Sequence, residues 1–225
     1  MLRKLLIAFV ALVVVLVIAA DRVGAHVAAH VLAGKLETDE HLPSRPSVTI
    51  SGIPFLTQAV HGHYSDVKVT SHDYVTKDHV QLDTMTVHLM GVHIPLSDVI
   101  DGSVKTVPVD RVSGTVSVSF VDLEAYLASH GITLKLAAAP NGAVDLTGTA
   151  SRISGLPRVL TGTATISVAN TVLTLSVGLG QGGAKVVKIP IPLGGLPFRI
   201  TVTSVTVSDD GIVGTGTAQH VVLGS

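Results

Sequence analysis

The sequence predicts an α+β protein, in which a long, strongly curved antiparallel sheet wraps one or two helices behind an N-terminal apolar helix. Apolar and hydroxyl side chains alternate with a period of two through the last third of the chain, which is typical of antiparallel strands with one solvated face. The clearest helical pattern in the β-rich part lies near residues 119–131, and residues 96–102 could form one further helical turn. An unbroken apolar run lies close to the start of the chain.

That run extends from Leu5 to Ala20 and follows Arg3 and Lys4. Basic residues before an apolar segment keep the N-terminus inside and send the following chain across the membrane. As a helix the run covers about 24 Å, a little less than the ~30 Å of a hydrocarbon core. Residues 1–25 are therefore predicted to form a signal peptide or a retained membrane anchor. Val23-Gly24-Ala25 is an acceptable small-residue cleavage site, and Ile18-Ala19-Ala20 is a weaker one.

The rest of the chain is predicted to divide into a helix with a linker, residues 26–46, and one β-rich domain, residues 47–225. Apolar residues at three- and four-residue spacing indicate a helix over 21–36: Val23, Val27, Ala28, Val31 and Leu32. The polar stretch 37–46 contains two prolines and is typical of a linker.

Strand patterns begin at Ser47, where SVTIS leads to Gly52. Farther on, Val80 and Leu82 share one face of a strand, whereas Met85 has the opposite parity. A change of phase inside one strand pattern predicts a bulge or break near Asp83-Thr84.

The internal helix is predicted from its ends. Ser119 and Asp122 resemble a capping box, Leu123 and Leu127 lie one turn apart, and Gly131 is placed to end the helix. After it, Asn141-Gly142 predicts a hairpin between two alternating segments.

A small phrase recurs in the sequence: GIPF at 52–55, GLPF at 195–198 and, with Arg158 in place of Phe, GLPR at 155–158. Gly permits a sharp reversal, and Pro removes a ladder donor, so the phrase suits a strand start or edge. We expect Phe55 and Phe198 to mark two related strand entries at one mouth of a groove, and the Arg158 copy to be an ordinary turn.

Composition excludes several functions. The net charge is −1, aromatic residues make up 3%, and Trp and Cys are absent. The chain therefore lacks the basic patch and stacking platforms of a nucleic-acid-binding protein. It also lacks disulfides, thiolate metal sites and Cys nucleophiles.

The strongest motif match is GLGQGG at 178–183, which satisfies G-x-G-x-x-G after a strand. A dinucleotide site needs a helix next, whereas AKVVKIPIPLGG follows. A flexible hairpin loop is the better interpretation, and no cofactor is predicted.

Eleven histidines raise the possibility of a metal site. His61 and His63 could share a strand face, and His26 and His30 lie one helical turn apart. Neither pair has a third ligand defined by spacing, so no metal site is predicted. A third ligand near His61 and His63 would favour an envelope hydrolase instead. Without a paired-carboxylate or nucleophile motif, we predict that the protein is not an enzyme.

The leader MLRKLLIAFVALVVVLVIAADRVGAHVA and the later segment PSVTISGIPFLTQAVHGHYSDVKVT resemble the LmeA family of phospholipid-binding proteins. GIPFLTQ followed by Gly62, Tyr64 and Val67 is the most specific part, and the resemblance covers essentially the whole chain. It implies a fold similar to tubular lipid-binding domains, with an apolar groove. It further implies export to the outer face of the plasma membrane, phospholipid ligands including inositol phospholipid, and a role in lipoglycan maturation.

We therefore expect non-enzymatic binding or transfer of phospholipid at the membrane surface, in support of cell-envelope lipid or lipoglycan metabolism. The alternative is an envelope scaffold that docks an apolar face on a partner enzyme such as a glycosyltransferase. The candidate lipid-contacting residues are the aliphatic residues of the strand faces and the phenylalanines of GIPF and GLPF: Phe55, Val67, Val69, Leu82, Val87, Leu89, Val116, Val118, Ile166, Val168, Leu173, Leu175, Phe198, Ile200 and Val202.

Overall fold

A computed structural model describes residues 2–39, 42–95, 97–98, 106–150, 158–169, 171–179 and 185–223. The α-helices that lie entirely within these residues are α1 (Leu2–Asp39), α2 (Phe55–His61) and α3 (Phe120–Ser129). The strands of the first half are β1 (Ser47–Ser51), β2 (His63–Val75), β3 (Gln81–His93), β4 (Val107–Ser119) and β5 (Ile132–Ala139). Those of the second half are β6 (Ala143–Ala150), β7 (Val159–Ala169), β8 (Val172–Leu179), β9 (Lys185–Pro192), β10 (Val202–Val207) and β11 (Gly211–Leu223).

The strands form two antiparallel sheets, where the sequence predicted one. The first has the order β1-β2-β3-β4-β11-β10, and the second has the order β5-β6-β7-β8-β9. The α+β class, the long apolar N-terminal helix and the predominance of antiparallel strands are confirmed. Within the second sheet each strand pairs with its neighbour in sequence, so the strands lie in the sheet in the same order as in the chain.

The chain forms two compact units. Unit 1 comprises residues 1–69, 88–111 and 219–225, and unit 2 comprises 70–87 and 112–218. The predicted boundaries at residues 25 and 46 stay predictions.

Helix α1 belongs to unit 1 and continues without interruption beyond the apolar run. Its residues up to Ala20 are exposed, whereas Asp21, Ala25, Ala29 and Ala33 are buried at four-residue spacing. Small side chains at this spacing form one helix face, which packs against β1 and α2. The helix continues to Asp39, so the first residues of the predicted linker are helical.

The GIPF phrase at 52–55 does not start a strand, so that expectation is wrong. Phe55 is the first residue of α2, and Pro54 precedes it with extended backbone. Proline suits a helix start because the first N–H groups of a helix have no intrahelical acceptor. The copy at 195–198 places Phe198 in a short 3-10 turn before β10. Both phenylalanines are buried, Phe55 in unit 1 and Phe198 in unit 2.

The third copy, GLPR at 155–158, lies outside the described residues except for Arg158.

Strand β3 changes phase as predicted, but without a break. Leu82 and Met85 are both buried, with two half-buried residues, Asp83 and Thr84, between them. A second change of phase occurs at Gly91, where φ is +65°. Along this continuous strand, the buried side chains therefore change from even-numbered to odd-numbered positions and back again.

Helix α3 begins as the sequence predicts. The Ser119 hydroxyl accepts a hydrogen bond from the Asp122 backbone N–H at 3.1 Å, and Leu123 and Leu127 are buried. The Glu124 carboxylate accepts a hydrogen bond from the Leu136 backbone N–H of β5 at 2.8 Å. Because β5 is an edge strand, this contact occupies one of its unpaired donors.

The segment after GLGQGG is a strand, so the helix that a dinucleotide fingerprint requires is not there. Leu179 of β8 pairs with Lys185 of β9, which confirms a hairpin around residues outside the described part. Pro190 and Pro192 lie on β9, the edge strand of the second sheet, where a missing backbone donor is tolerated.

Candidate functional site

An apolar cleft lies inside unit 2, where side chains from both sheets and from α3 meet. The lining residues are Val80, Val116, Val118, Leu123, Leu173, Ile191, Leu193, Val205, Ile212 and Gly214. They carry no polar side-chain group. The free space between them is about 10 Å³, roughly the room that one water molecule needs, so the lining side chains almost fill the cleft.

A turn fixes one wall of the cleft. The Leu193 N–H donates to the Thr171 carbonyl at 2.8 Å, and the Gly194 N–H donates to the Asp78 carboxylate at 3.0 Å. The Tyr74 hydroxyl donates to the Gly195 carbonyl at 3.0 Å. These bonds hold the turn after β9 against the end of the β2–β3 hairpin, so the Leu193 side chain has a defined place.

Gly214 lines another part of the cleft and contributes no side chain to it. It pairs with Val205 across β10 and β11, and both residues line the cleft. A Cβ atom at position 214 would lie 3.0 Å from Val202 Cγ1 and 3.1 Å from Val116 Cγ2. A side chain there would therefore crowd Val202 and the lining residue Val116, and glycine leaves that space open.

The structure brings Val116, Val118 and Leu173 of the predicted set into this cleft. Ile166 and Val168 are half-exposed on β7. The remaining predicted residues are buried side chains that do not line it: Phe55, Val67, Val69, Leu82, Val87, Leu89, Leu175, Phe198, Ile200 and Val202. Whether any of the predicted residues contacts lipid stays a prediction.

The sequence reasoning missed seven lining residues: Val80, Leu123, Ile191, Leu193, Val205, Ile212 and Gly214. Leu123 and Val80 were recognised as apolar positions of a helix and a strand. Nothing in the local pattern, however, separates a cleft residue from a core residue. Gly214 could have been recognised from the sequence, because a glycine inside an alternating strand often marks the close approach of another chain segment or a ligand.

Two carboxyl groups meet next to lining residues. Asp83 on β3 lies beside Asp122 on α3, close enough for the Asp122 carboxyl to affect the ionisation of Asp83. Partial burial raises the pKa of Asp83, and the adjacent Asp122 carboxyl raises this pKa further. A raised pKa means that folding disfavours the ionised form of Asp83.

We expect Asp83→Asn to raise the melting temperature at pH 7. Wild-type Asp83 must ionise against its surroundings at pH values above its raised pKa, and asparagine removes that cost. As the pH falls below the unfolded-state value of 3.8, both states of the wild type become protonated and the difference should vanish. Thermal unfolding between pH 3 and 8 measures the effect.

Asp209→Asn, at an exposed turn position of the same unit, is the matched control and should leave the melting temperature unchanged. A lower melting temperature for Asp83→Asn at pH 7 would contradict the assigned charge repulsion.

The histidine pair proposed from the sequence does not converge. The His61 Nδ1 atom lies 2.7 Å from the Thr57 carbonyl oxygen of its own helix. His63 instead contacts His93 at 3.2 Å between their Nδ1 atoms, and His93 Nε2 lies 3.2 Å from an Asp110 oxygen. In the part of the chain that the structure describes, no three His, Asp or Glu side chains form a group that could hold a metal ion.

The N-terminal helix is the one described helix that is long and apolar enough to cross a membrane. Its apolar part is not buried within the protein.

Comparison with known proteins gives one family. A family model described as LmeA-like phospholipid-binding matches residues 19–217. Comparison with curated proteins and with solved structures gives no match. The matched range contains every residue that lines the cleft.

Proposed function

Because the chain belongs to the LmeA-like phospholipid-binding family, we propose that it holds an acyl chain of a phospholipid in the apolar cleft of unit 2. The observation that carries this proposal is a cleft lined by aliphatic side chains and glycine, without a polar side-chain group. Such a lining suits a hydrocarbon chain and offers nothing to a polar substrate. Binding without catalysis is the function that this lining supports best.

Burial of hydrocarbon supplies enough free energy for this role. Each buried methylene contributes about 0.8 kcal/mol, so an acyl chain of about 16 carbons contributes on the order of 12 kcal/mol before association and ordering costs. The cleft is narrow, and an entering chain would displace the aliphatic side chains that now contact each other. Val205 is half-exposed on the edge strand β10, which makes it the lining residue best able to move aside.

The proposed place of action is the outer face of the plasma membrane. The basic residues Arg3 and Lys4 precede the apolar run of α1, which supports an exported domain behind a single span. Inositol phospholipid is the proposed ligand class, and support of lipoglycan synthesis with an envelope glycosyltransferase is the proposed setting. The place of action, the inositol head group and the partner enzyme are proposals beyond the family description, which names phospholipid binding alone.

We further propose that α1 is retained as an anchor. Cleavage after Ala25 would remove Asp21, whose carboxylate accepts the Leu56 backbone N–H at 2.9 Å. It would also remove Arg22, which donates to the Gly52 carbonyl at 3.1 Å. The family match begins at residue 19, so it includes this segment. Loss of the Asp21 carboxylate would leave the Leu56 N–H, in the first turn of α2, without its protein partner.

The intact mass of the protein purified from membranes tests the anchor. We expect the N-terminal segment through Ala25 to be present, and the protein to resist extraction by alkaline carbonate. A mature N-terminus at residue 21 or 26 would contradict retention without touching the lipid proposal.

Native mass spectrometry of the detergent-solubilised full chain tests the ligand. We expect one phospholipid per chain to remain bound when the detergent is removed in the gas phase. A chain that stays free of lipid after incubation with excess phospholipid would contradict the proposed function, whatever the state of its N-terminus.

A further inference from the structure

An exposed apolar surface lies on α2 and on the turn before it. Ile53 is 83% exposed, Val60 is 75% exposed and Leu56 is 43% exposed. Their neighbours Phe55 and Ala59 are buried and lie about 100° farther around the same short helix. Helix α2 and the turn before it therefore expose apolar side chains beside the buried face of the helix.

This surface is fixed to α1 at the point where the apolar run ends. The Asp21 carboxylate accepts the Leu56 N–H, and Arg22 donates to the Gly52 carbonyl, next to Ile53. A Cβ atom at Gly24 would lie 3.4 Å from the Phe55 ring, so the two helices approach closely there. Ile53 and Leu56 consequently lie beside residues 21–24 of α1.

The length of the apolar run determines how deep residues 21–24 lie. Leu5 to Ala20 covers about 24 Å as a helix, roughly 6 Å less than a hydrocarbon core of ~30 Å. About four more residues complete the crossing, which brings the hydrocarbon boundary to Gly24. Asp21 is buried and bonded to α2, and the Arg22 guanidinium donates to the Asp21 carboxylate and to the Gly52 carbonyl. Both charged groups are therefore paired at this level, which lowers the cost of placing them near hydrocarbon.

We propose that Ile53, Leu56 and Val60 form a membrane foot, a surface that inserts into the outer leaflet beside the α1 span. The partner is the lipid bilayer that α1 crosses, because the apolar surface of α2 continues that of the span. An amphipathic helix at this level buries its apolar face at the boundary of head groups and acyl chains. The foot holds unit 1 against the bilayer. This inference rests on the proposed retention of α1.

The absence of Trp from the chain makes a single introduced tryptophan the only one in the protein. We expect the fluorescence of Val60→Trp to be quenched by phospholipids brominated on the acyl chain, with the full chain reconstituted in vesicles. Phe9→Trp, inside the apolar run, is the quenched reference. Val31→Trp is the unquenched reference, since Val31 is exposed on α1 and lies about 16 Å beyond Ala20 along the helix.

We expect Val60→Trp to lose nearly as much fluorescence as Phe9→Trp, with an emission maximum shifted to the blue relative to Val31→Trp. Quenching at Val60 no greater than at Val31 would overturn the foot. Protection of Val60→Trp from aqueous quenchers without quenching by lipid would instead indicate a protein partner on α2, and would overturn it as well. Quenching at Val31 equal to that at Phe9 would contradict the boundary at Gly24 and the foot with it.

The same samples separate this inference from the anchor. Vesicles that retain the protein after carbonate treatment, but show no quenching at Val60, would remove the foot and leave the anchor in place. Release of the protein by carbonate would remove the anchor on which the foot rests. Neither result bears on lipid binding by unit 2, which native mass spectrometry measures independently.

Discussion

Val205→Phe should weaken phospholipid binding roughly tenfold or more while leaving the protein folded. Val205 lines the cleft and is half-exposed on the edge strand β10, so a larger ring there occupies the space that an acyl chain needs. Overfilling a packed apolar site costs about 1–3 kcal/mol, and 1.4 kcal/mol corresponds to a tenfold change in Kd. Titration of the delipidated full chain with phospholipid, followed by native mass spectrometry, measures the change.

Val207→Phe is the matched control. Val207 is half-exposed at the next position of the same parity on β10, and it does not line the cleft. It pairs with Ile212, as Val205 pairs with Gly214. Equal loss of binding in both variants would mean that β10 as a whole is perturbed, and equal retention of binding in both would contradict the cleft as the lipid site.

Leu123→Ala should lower the free energy of unfolding of the lipid-free protein by about 2–5 kcal/mol, the usual cost of truncating a buried leucine. Leu123 is 1% exposed on α3 and lines the cleft. The truncation enlarges the proposed lipid site, and added hydrocarbon can fill an apolar cavity. Phospholipid should therefore restore more stability to this variant than to the wild type. Denaturant unfolding with and without phospholipid measures both effects.

Leu127→Ala separates the two effects. Leu127 is also 1% exposed and lies one turn farther along α3, but it does not line the cleft. We expect a similar loss of stability without lipid and no additional recovery with lipid. If phospholipid stabilised both variants to the same extent, the cavity at Leu123 would not be part of the lipid site.

Local patterns in the sequence predicted much of the fold because they are set by neighbours along the chain. The capping residue Ser119 predicts the start of α3, and Asn141-Gly142 predicts the β5–β6 hairpin, where Ala139 pairs with Ala143. Alternation predicts which side of β7 and β8 is exposed. The division into two sheets depends on which strands meet across long stretches of chain, and period-two patterns are identical in one sheet or two.

The GIPF phrase shows the opposite case, in which a local pattern was misleading. Gly and Pro before Phe55 suit a strand start as well as a helix start. What distinguishes them is tertiary: the Asp21 carboxylate reaches the Leu56 N–H from a position 35 residues earlier. That contact supplies an acceptor and negative charge near the α2 N-terminus, where both are stabilising.

The sequence predicted that the candidate site is apolar, but it did not predict which residues line it. Alternation indicates which residues face an apolar interior, and Val116, Val118 and Leu173 were found in this way. Whether such a residue borders a cleft or a filled core depends on the residues opposite it. For Gly214 these are Val202 and Val116, which no single strand pattern brings together.

Photolabelling with a phospholipid that carries a diazirine on one acyl chain tests the central claim most directly. After irradiation of the full chain in vesicles, we expect labelled peptides from unit 2 to contain the cleft residues Val116, Leu123 and Leu173. We also expect excess unlabelled phospholipid to prevent that labelling. Labelling confined to α1 and α2, with none on the unit 2 peptides, would contradict a lipid chain held in the cleft.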